Sequence, residues 1–416
     1  MNETAARLLD DYSVHLPRWQ QLDPIGRLRS AQSDAELLAI FASLGDRHTH
    51  CALPTQIAAW LPFNVASCND GVFITASLID DLKRGDRIVR WNNAPMTTTL
   101  RELMPLHLGA NRYARAAKAV QMLALRPLSI LPEPAESRVV LELDGGKRVE
   151  LAWQFEELQT LGAKIAPLFD SDASNISVAD RVIRIRSFRE APQPFLQRFL
   201  DALRSVPQDG VILDLRGCEE GIIQTAEQLL QLFTTQRIEP ERFRFRVTPA
   251  IRALADRSLH DWRDAVHRTR GIYSHAQTIT TVDEANAIGR RYPGPLLVLV
   301  DALTYSSAEM FAAGVQDHAI GKVVGVAPRT GGGGASAWSQ SAIAELTGND
   351  ALRPRASEPS LRIAVRCAER VLGNRGKEIE GCGVTPDVVH APTHSDVLAD
   401  DKDLHFRLLA ELLNQR

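Results

Sequence analysis

Apolar positions in the first part of the chain follow a helical period. Between residues 2 and 45, leucines and alanines recur three and four positions apart, for example at Leu37, Leu38, Phe41 and Leu44. Gly45 then favours the end of the last helix, and Pro54 prevents another from starting at once. We therefore predict a helical N-terminal segment over residues 1–55, which ends in a loop.

The hydrophobic pattern changes to short runs with a period of two between residues 61 and 153. Residues 82–96, LKRGDRIVRWNNAPM, predict a strand, an Asn-Asn turn and a second short strand. Residues 138–153, RVVLELDGGKRVELAW, predict a hairpin around an Asp-Gly-Gly turn. A helical period returns only around Ala114 to Leu125. This pattern indicates a small β-rich module over residues 56–158.

From residue 180 onward, strand and helix patterns alternate. The runs VIRIRSF (182–188), VILDLR (211–216) and PLLVLV (295–300) are typical of short buried strands. Amphipathic helix patterns follow the first two runs. Such alternation predicts a parallel sheet with crossover helices, and so an α/β core over residues 159–416. The charge-rich stretch 240–292 is predicted to be helical, either as a lid or as a solvated excursion.

Composition and charge exclude several classes of protein. The chain is 44% hydrophobic and 24% charged, which is ordinary for a globular protein. A net charge of −3 offers no basic face for nucleic acid. No run approaches the roughly 18 apolar residues of a membrane span, and the N-terminus MNETAARLLDDY lacks a signal-peptide pattern. We expect a cytoplasmic protein with no nucleic-acid partner and no membrane partner.

The cysteines do not form a recognisable framework. There are five, at positions far apart, without a C-x-x-C pair or a Cys/His cluster of zinc-site spacing. His48, His50 and Cys51 are too close in sequence to complete a metal shell. We therefore expect neither disulfides nor a metal, and nothing in the sequence implies a cofactor.

A serine lies at the junction between a predicted strand and a predicted helix. Asp301 to Tyr305 turn the chain after the apolar run, and Ser306 opens the helix. Free backbone N–H groups and the helix dipole favour negative charge there, which suits a nucleophile whose product is an oxyanion. However, Ser306 and Glu309 also have the S-x-x-E spacing of a capping box, in which serine only satisfies the helix terminus. This stretch alone leaves both interpretations open.

Four stretches in a fixed order carry a family resemblance: LGDRHTH (44–50), VILDLRGCEEG (211–221), TYSSAEMFAAGVQD (304–317) and EIEGCGVTPDV (378–388). Together they resemble the tail-specific, or C-terminal processing, serine peptidases, whose relatives include the tricorn protease core and the interphotoreceptor retinoid-binding modules. LKRGDRIVRWNN resembles the strand and turn of a PDZ domain, which that family often carries at this place. The resemblance implies a ClpP/crotonase-type α/β core and a PDZ-like substrate-binding module over residues 56–158.

The resemblance also implies which residues are catalytic. It places the nucleophile at Ser306. The family's lysine base has no counterpart, because PRTGGGG (328–334) contains no lysine and Lys322 lies too early. The tricorn-like arrangement fits better, with His48 in D-x-H-T as base and Glu380 ahead of GCGVTPD as orienting carboxylate. An imidazole has a pKa suited to a base near neutrality. His50 remains an alternative base.

The oxyanion region departs from the family pattern. The family reads roughly DLRGNGGG, whereas this chain reads DLRGCEEG (214–221). Main-chain N–H groups of Ser307, Gly221 and Glu220 are the candidate donors to an oxyanion. The Glu219 and Glu220 side chains are expected to crowd the site and to oppose a negative charge there. Either the loop is aimed differently, or Gly221 supplies the amide, or the activity is altered. RTGGGG is expected to form a flexible wall of the site.

These observations predict a serine peptidase that cleaves peptide bonds through an acyl-enzyme, with a specialised peptide-processing role. A peptide or protein is the expected substrate, and homo-oligomerisation is left open. Two alternatives remain. One is a non-catalytic protein that uses the cleft to bind a ligand or peptide, which the loss of the oxyanion glycines favours. The other is an esterase or amidase that acts on small molecules with the same triad.

Overall fold

The N-terminal segment is helical, and it packs on the core and adds one strand to a core sheet. The structure is a computed structural model that describes residues 2–169 and 174–413. The segment contains α1 (Asn2–Tyr12), α2 (Pro24–Ser30), α3 (Asp34–Ser43) and β1 (His50–Ala52). The helical prediction is confirmed. Ser33 accepts a hydrogen bond from the backbone of Glu36 and so caps α3, which fixes the residue at which this helix begins.

The middle module consists mainly of antiparallel strands. Its elements are β2 (Ile57–Trp60), β3 (Phe63–Cys68), β4 (Gly71–Ser77), β5 (Arg87–Trp91), β6 (Ala94–Pro95), α4 (Met96–Leu103), α5 (Arg112–Gln121), β7 (Leu125–Pro127), β8 (Arg138–Leu143), β9 (Arg148–Ala152), β10 (Gln154–Glu157) and α6 (Leu158–Ile165). One sheet has the order β3-β4-β5-β8-β9, with β6 on β5, and another has the order β10-β2-β7. Both predicted hairpins are confirmed. Asn92 and Asn93 have φ of 48° and 66°, the left-handed conformation that a tight hairpin turn requires.

The C-terminal part forms the α/β core. Its elements are β11 (Ile176–Ala179), β12 (Val182–Ile185), α7 (Pro192–Ser205), β13 (Val211–Asp214), α8 (Ile223–Leu230), β14 (Arg242–Phe245), α9 (Pro249–Arg257), α10 (Arg263–His267), β15 (Gln277–Thr278), α11 (Val282–Ala285), β16 (Leu296–Val300), α12 (Ser307–Asp317), β17 (Lys322–Gly325), β18 (Ala335–Ser339), α13 (Gln340–Thr347), β19 (Ser360–Glu369), β20 (Val388–Val389), α14 (His394–Leu398) and α15 (Lys402–Leu413). The main sheet has the order β11-β12-β13-β16-β17-β20, and every pair after β11-β12 is parallel. The predicted parallel sheet is confirmed.

Strand β16 is buried on both faces of this sheet. Leu296, Val298 and Val300 pack in a cluster with residues of α7, α8 and α12, whereas Leu297 and Leu299 pack with α15. Because both faces are covered, the strand is a continuous apolar run rather than an alternating one. The carboxyl end of β16 therefore has a fixed position at the edge of the core, next to α12.

A second sheet of the core joins distant parts of the chain. Its order is β1-β19-β14-β15, with β18 also paired to β19. The charged run ERFRFR contains β14, in which Phe243 and Phe245 are fully buried while the arginines point away. The prediction of a helix for the stretch 240–292 is therefore wrong at residues 242–245, where a strand buries its phenylalanines but not the arginines that alternate with them.

The boundaries drawn at residues 55 and 158 remain predictions. Strand β1 pairs with β19 of the core, and Leu161 of α6 packs on Ala58 and Trp60 of the middle module. No helix within residues 2–169 and 174–413 has both the length and the apolar character needed to cross a membrane.

Candidate active site

Ser306 occupies a strained turn between β16 and α12. Its φ of 59° and ψ of −127° lie outside the regions that residues with a side chain usually adopt. Such strain persists only where surrounding contacts impose it, and a strand-to-helix turn of this kind projects a nucleophile. Asp301 supplies such contacts, because its Oδ1 accepts the Thr304 N–H at 2.7 Å and the Gly217 N–H at 3.0 Å. The turn is held in place from both sides.

The capping-box alternative does not hold. Ser306 makes no side-chain hydrogen bond to the N-terminus of α12. Glu309 accepts hydrogen bonds instead from the Thr330 hydroxyl, from Gly332 N at 2.8 Å and from Gly333 N at 2.6 Å. The two residues of the S-x-x-E spacing therefore have separate roles: Ser306 occupies the turn, and Glu309 binds the glycine run.

His48 lies within hydrogen-bond distance of Ser306. The distance from His48 Nε2 to Ser306 Oγ is 3.2 Å, and the two residues are 2% and 6% exposed. The loop that carries His48 is fixed by Asp46, whose Oδ1 accepts the His48 N–H at 2.7 Å, and by Thr49, whose Oγ1 accepts the Ala364 N–H at 3.0 Å. Burial lowers the pKa of His48 well below its ordinary value, so the imidazole is neutral and able to accept a proton.

His50, the alternative base, is directed elsewhere. Its Nδ1 donates to the carbonyl of Arg47 at 2.8 Å. The structure therefore brings His48, and not His50, to Ser306. Lys322 is also paired elsewhere, because its ammonium group donates to Glu411 at 2.9 Å.

Glu380 is buried beside two residues that the sequence analysis did not select. Its Oε2 lies 3.5 Å from His15 Nε2, and donor atoms of His15, Asp46 and Glu380 all lie within 4.8 Å of one another. No hydrogen bond joins Glu380 to His48 among the described side chains: His48 Nδ1 and Glu380 Oε2 are both buried without a partner. By geometry the three residues are also a set of donors that could hold a metal ion.

Burial changes the protonation of this cluster. It raises the pKa of Glu380 to about 8 and that of Asp46 to about 6, and it lowers the pKa of His15 to about 4. All three shifts have the same cause, because a low-dielectric interior disfavours the charged form of each group. Near neutral pH the cluster thus holds a neutral His15 and a Glu380 that is largely protonated.

The two glutamates of DLRGCEEG are neutralised by cations. Glu219 pairs with Arg47 and with Lys118 of α5, and Glu220 pairs with Arg189 at 2.8 Å and with Arg362 at 3.0 Å. Although burial by itself raises it, Arg362 and Arg189 hold the pKa of Glu220 at about 2. Burial also raises the pKa of Glu219, but Arg47 and Lys118 bring it below its ordinary value. Both side chains are ionised and paired, so their charge is offset.

The loop that carries these glutamates lies beside the nucleophile. The carbonyl of Cys218 accepts the Tyr305 N–H at 3.0 Å, one residue before Ser306. Gly221 faces Phe188, and a Cβ at that position would lie 2.2 Å from Phe188 Cβ. The glycine there is thus required by the close approach of two backbones. Ser307 is fully buried at the first position of α12, where an N–H has no partner within the helix.

The glycine run is a packed element rather than a loose wall. Residues 330–335 are buried, and a Cβ on Gly331 or Gly333 would lie 2.4 or 2.2 Å from the ring of Tyr305. Gly332 has φ of 84°, which favours glycine. The expectation of a flexible wall is therefore wrong, because the three hydrogen bonds to Glu309 and the contact with Tyr305 hold the run.

Sequence reasoning missed His15, Asp46, Arg47 and Lys118. Asp46 and Arg47 lie inside the LGDRHTH stretch, so their position next to His48 was the available signal. His15 and Lys118 lie in stretches without a motif, and only the folded chain brings them to the site.

An imidazole beside a buried serine in a strained strand-to-helix turn is the arrangement of a serine hydrolase. The model of peptidase family S41 matches residues 181–390, about half of the chain. The chain belongs to peptidase family S41 and is a serine-type peptidase, for which peptides or proteins are the substrates.

Solved structures support the fold over the whole chain. Mature CPAF complexed with lactacystin is similar with a TM-score of 0.70 and 17% identity, over 99% of this chain and 96% of that chain. Mature CPAF is similar with a TM-score of 0.72 and 16% identity, over 99% and 95% of the two chains. At these identities the similarity concerns the fold alone. No curated protein matches the chain significantly.

Proposed function

We propose that this peptidase cleaves peptide bonds through an acyl-enzyme on Ser306, with His48 as the base and Glu380 as the orienting carboxylate. The observation that carries the proposal is the 3.2 Å distance between His48 Nε2 and Ser306 Oγ in a site where both groups are buried. His48 Nε2 takes the serine proton as Oγ attacks the carbonyl carbon, and the same proton then goes to the leaving amine as the C–N bond breaks. Water repeats the sequence to release the acyl group.

The proposed role of Glu380 is to stabilise the imidazolium. His48 Nδ1 and Glu380 Oε2 are both buried without a partner, and Asp46 contacts the His48 backbone while lying within 4.8 Å of Glu380. A buried polar atom without a hydrogen-bond partner destabilises the folded protein. We therefore expect His48 Nδ1 and Glu380 Oε2 to pair, directly or through water, when substrate closes the site. A carboxylate that accepts a hydrogen bond from Nδ1 favours the tautomer with a proton on that nitrogen.

The proposed oxyanion donors are main-chain N–H groups of Ser307 and of Glu220 or Gly221. The loss of the oxyanion glycines favoured a non-catalytic protein, but Glu219 and Glu220, which stand in their place, are paired with four cations that offset their charge. We further propose that the middle module, residues 56–158, is the PDZ-like element that selects a peptide. Lys118 of α5 links that module to the loop beside Ser306.

A digest of a mixed peptide library, read by mass spectrometry, tests the proposal. Wild-type protein is expected to cleave a subset of peptides, Ser306→Ala none, and Ser137→Ala, which changes an exposed serine, the same subset as wild type. Turnover of nitrophenyl esters without cleavage of any peptide would favour the small-molecule esterase instead. Equal cleavage by wild type and Ser306→Ala would contradict the assignment of the nucleophile.

A further inference from the structure

We propose that His15 is a positioning residue of this active site: its Nε2–H donates to the Glu380 carboxylate and holds it in the orientation that serves His48. The inference rests on the proposed function, because it assumes that Glu380 acts on the base. It adds a residue from the first turn after α1, which no motif in the sequence connects with catalysis. It also gives the N-terminal segment a part in the chemistry.

Two buried polar atoms without partners face each other at this point. His15 Nε2 and Glu380 Oε2 lie 3.5 Å apart, each is buried, and neither has another hydrogen-bond partner among the described residues. A hydrogen bond of this type is usually about 2.9 Å long, so a movement of roughly half an ångström completes it. Catalytic hydrogen bonds are often long in free enzymes and shorten when substrate binds.

Contacts of the neighbouring backbone and of Trp19 hold His15 in place. Val14, which is fully buried, donates its N–H to Ala364 of β19 at 2.9 Å. Arg246 donates to the carbonyl of Ser13 at 2.7 Å. The His15 ring meets the edge of the buried Trp19 with centroids 5.9 Å apart. A side chain held from both sides in this way has little freedom to turn away from Glu380.

The N-terminal segment makes a further contact with the turn that carries Glu380, through Arg18. Arg18 lies in the short 3-10 helix Leu16–Leu22, and its Nη1 donates to the carbonyl of Glu380 at 3.5 Å. The same guanidinium pairs with Glu378, two residues earlier. The segment thus contacts the side chain of Glu378, the main-chain carbonyl of Glu380 and the carboxyl group of Glu380. Contacts at several points favour a positioning role for His15 over chance proximity to Glu380.

The direction of the hydrogen bond follows from the chemistry of the two groups. An ionised carboxylate only accepts, so the nitrogen that faces it must carry the proton. His15 provides that proton as a neutral imidazole, since burial lowers its pKa to about 4. Other titratable or charged groups that interact electrostatically with Glu380 come from several elements. They are Asp46, Tyr305, Glu309, Cys367, Arg18 and Glu378.

The test measures how fast a fluorophosphonate modifies Ser306 as a function of pH, by intact mass, so that no substrate is needed. His15→Phe keeps the ring volume but loses the N–H, whereas His15→Gln keeps an N–H donor. The wild-type rate is expected to rise with pH through about 8, as Glu380 ionises. Because His15→Phe removes a donor to the carboxylate, it is expected to move that midpoint up by about one unit and to lower the rate at pH 7.5 about tenfold. His15→Gln is expected to stay near wild type.

The control is His260→Phe, which makes the same change at an exposed histidine and is expected to leave the rate unchanged. A His15→Phe variant with the wild-type rate and midpoint would contradict the inference alone, as would a His15→Gln variant that falls as far as His15→Phe. A stoichiometric divalent metal in wild-type protein, whose removal by chelator changes the rate, would also overturn it, because the three donors then hold an ion. Folded wild-type protein that is unmodified at any pH would contradict the proposed function itself.

A second measurement covers the case in which the substitutions prevent folding. Nitrogen-15 NMR of wild-type protein reports which ring nitrogen of His15 carries the proton. The inference predicts protonation at Nε2 above about pH 8. A neutral ring with its proton on Nδ1 there would contradict it.

Discussion

Ser306 and His48 are 258 positions apart in the chain and 3.2 Å apart at the site. The main-chain strain at Ser306 and the fixed loop at His48 place the two side chains before any substrate binds. Less of the barrier is then left for substrate binding to overcome, because reacting groups that are already oriented lose little freedom in the transition state.

Replacing Glu380 by glutamine tests the carboxylate at the scale of one residue. The amide has the same shape but cannot ionise, so Glu380→Gln is expected to lose the rise in fluorophosphonate reactivity near pH 8. Its rate at pH 9 is expected to be at least about a hundredfold below wild type. Glu133→Gln, which changes an exposed carboxylate, is the matched control. A retained rise near pH 8 would assign that ionisation to another group.

Replacing Lys118 by methionine tests the neutralised loop. Lys118→Met leaves Glu219 with only Arg47 as partner, so more negative charge faces the developing oxyanion. The rate of modification at pH 8.5 is expected to fall about tenfold. Lys147→Met, at an exposed turn of the same module, should have no effect. Equal rates for both variants would mean that the pairing of Glu219 does not influence the oxyanion.

The sequence predicted the placement of Ser306 and His48 because each lies in a local motif. It did not reveal that Glu219 and Glu220 are paired with cations, because several of their partners are remote: Arg47, Lys118 and Arg362 are 172, 101 and 142 positions away. The contact of His15 with Glu380 was missed for the same reason. Long-range pairing is decided by the fold and leaves no periodic trace in the chain.

At the scale of elements, the turn before α12 and the glycine run 330–334 form one unit. Glu309 extends from the first turn of the helix and accepts three hydrogen bonds from that run, while Tyr305 fills the space that its glycines leave. The spacing of Ser306 and Glu309 suggested a capping box, since local spacing is the same in both cases. The donors that bind Glu309 in the structure lie more than 20 positions further along the chain.

Replacing Glu309 by glutamine tests this unit. In Glu309→Gln one oxygen becomes an amide nitrogen, which cannot accept, so the N–H of Gly332 or Gly333 is left without a partner. Burial raises the pKa of Glu309 to about 7, so unfolding with urea is measured at pH 4.5, where loss of this ionisation hardly alters the comparison. The free energy of unfolding is expected to fall there by about 1–3 kcal/mol. Glu345→Gln, at an exposed position on α13, should change it little. An unchanged stability in Glu309→Gln would show that the run is held by packing alone.

At the scale of the whole molecule, three parts of the chain meet at the site. The N-terminal segment supplies His15 and His48, the middle module supplies Lys118, and the core supplies Ser306 and Glu380. The alternation of strand and helix patterns was sufficient to predict the parallel sheet, because buried strands and amphipathic helices have distinct periods. The antiparallel sheet around β19 was not predicted, since its strands come from distant places in the chain. In ERFRFR the alternating arginines also made the buried phenylalanines difficult to recognise.

Buried carboxyl groups make the stability of the molecule depend on pH. Burial raises the pKa of Glu227, on α8, to about 7, so the folded protein binds a proton there that the unfolded chain has lost. Stability from this group is complete below about pH 4.5 and is lost as the pH rises through about 7. Relative to wild type, Glu227→Gln is expected to gain about 3 kcal/mol of unfolding free energy between pH 4.5 and 8.

Urea unfolding of both proteins across this pH range measures the difference. Taking the difference cancels the contributions of groups that do not interact with Glu227. Glu241 is an exception, because burial and then the charge of Glu227 raise its pKa. Glu133→Gln, at an exposed position, is expected to show a difference that stays constant with pH. A constant difference for Glu227→Gln as well would contradict a protonated Glu227 in the folded protein.

The central claim is that Ser306 is a nucleophile activated by His48. Intact mass after incubation with a fluorophosphonate at pH 8.5 tests it most directly. We predict one stoichiometric adduct on wild type, none on Ser306→Ala and a rate at least about a hundredfold lower on His48→Ala. No adduct on folded wild-type protein, or an adduct that persists in Ser306→Ala, would contradict the account.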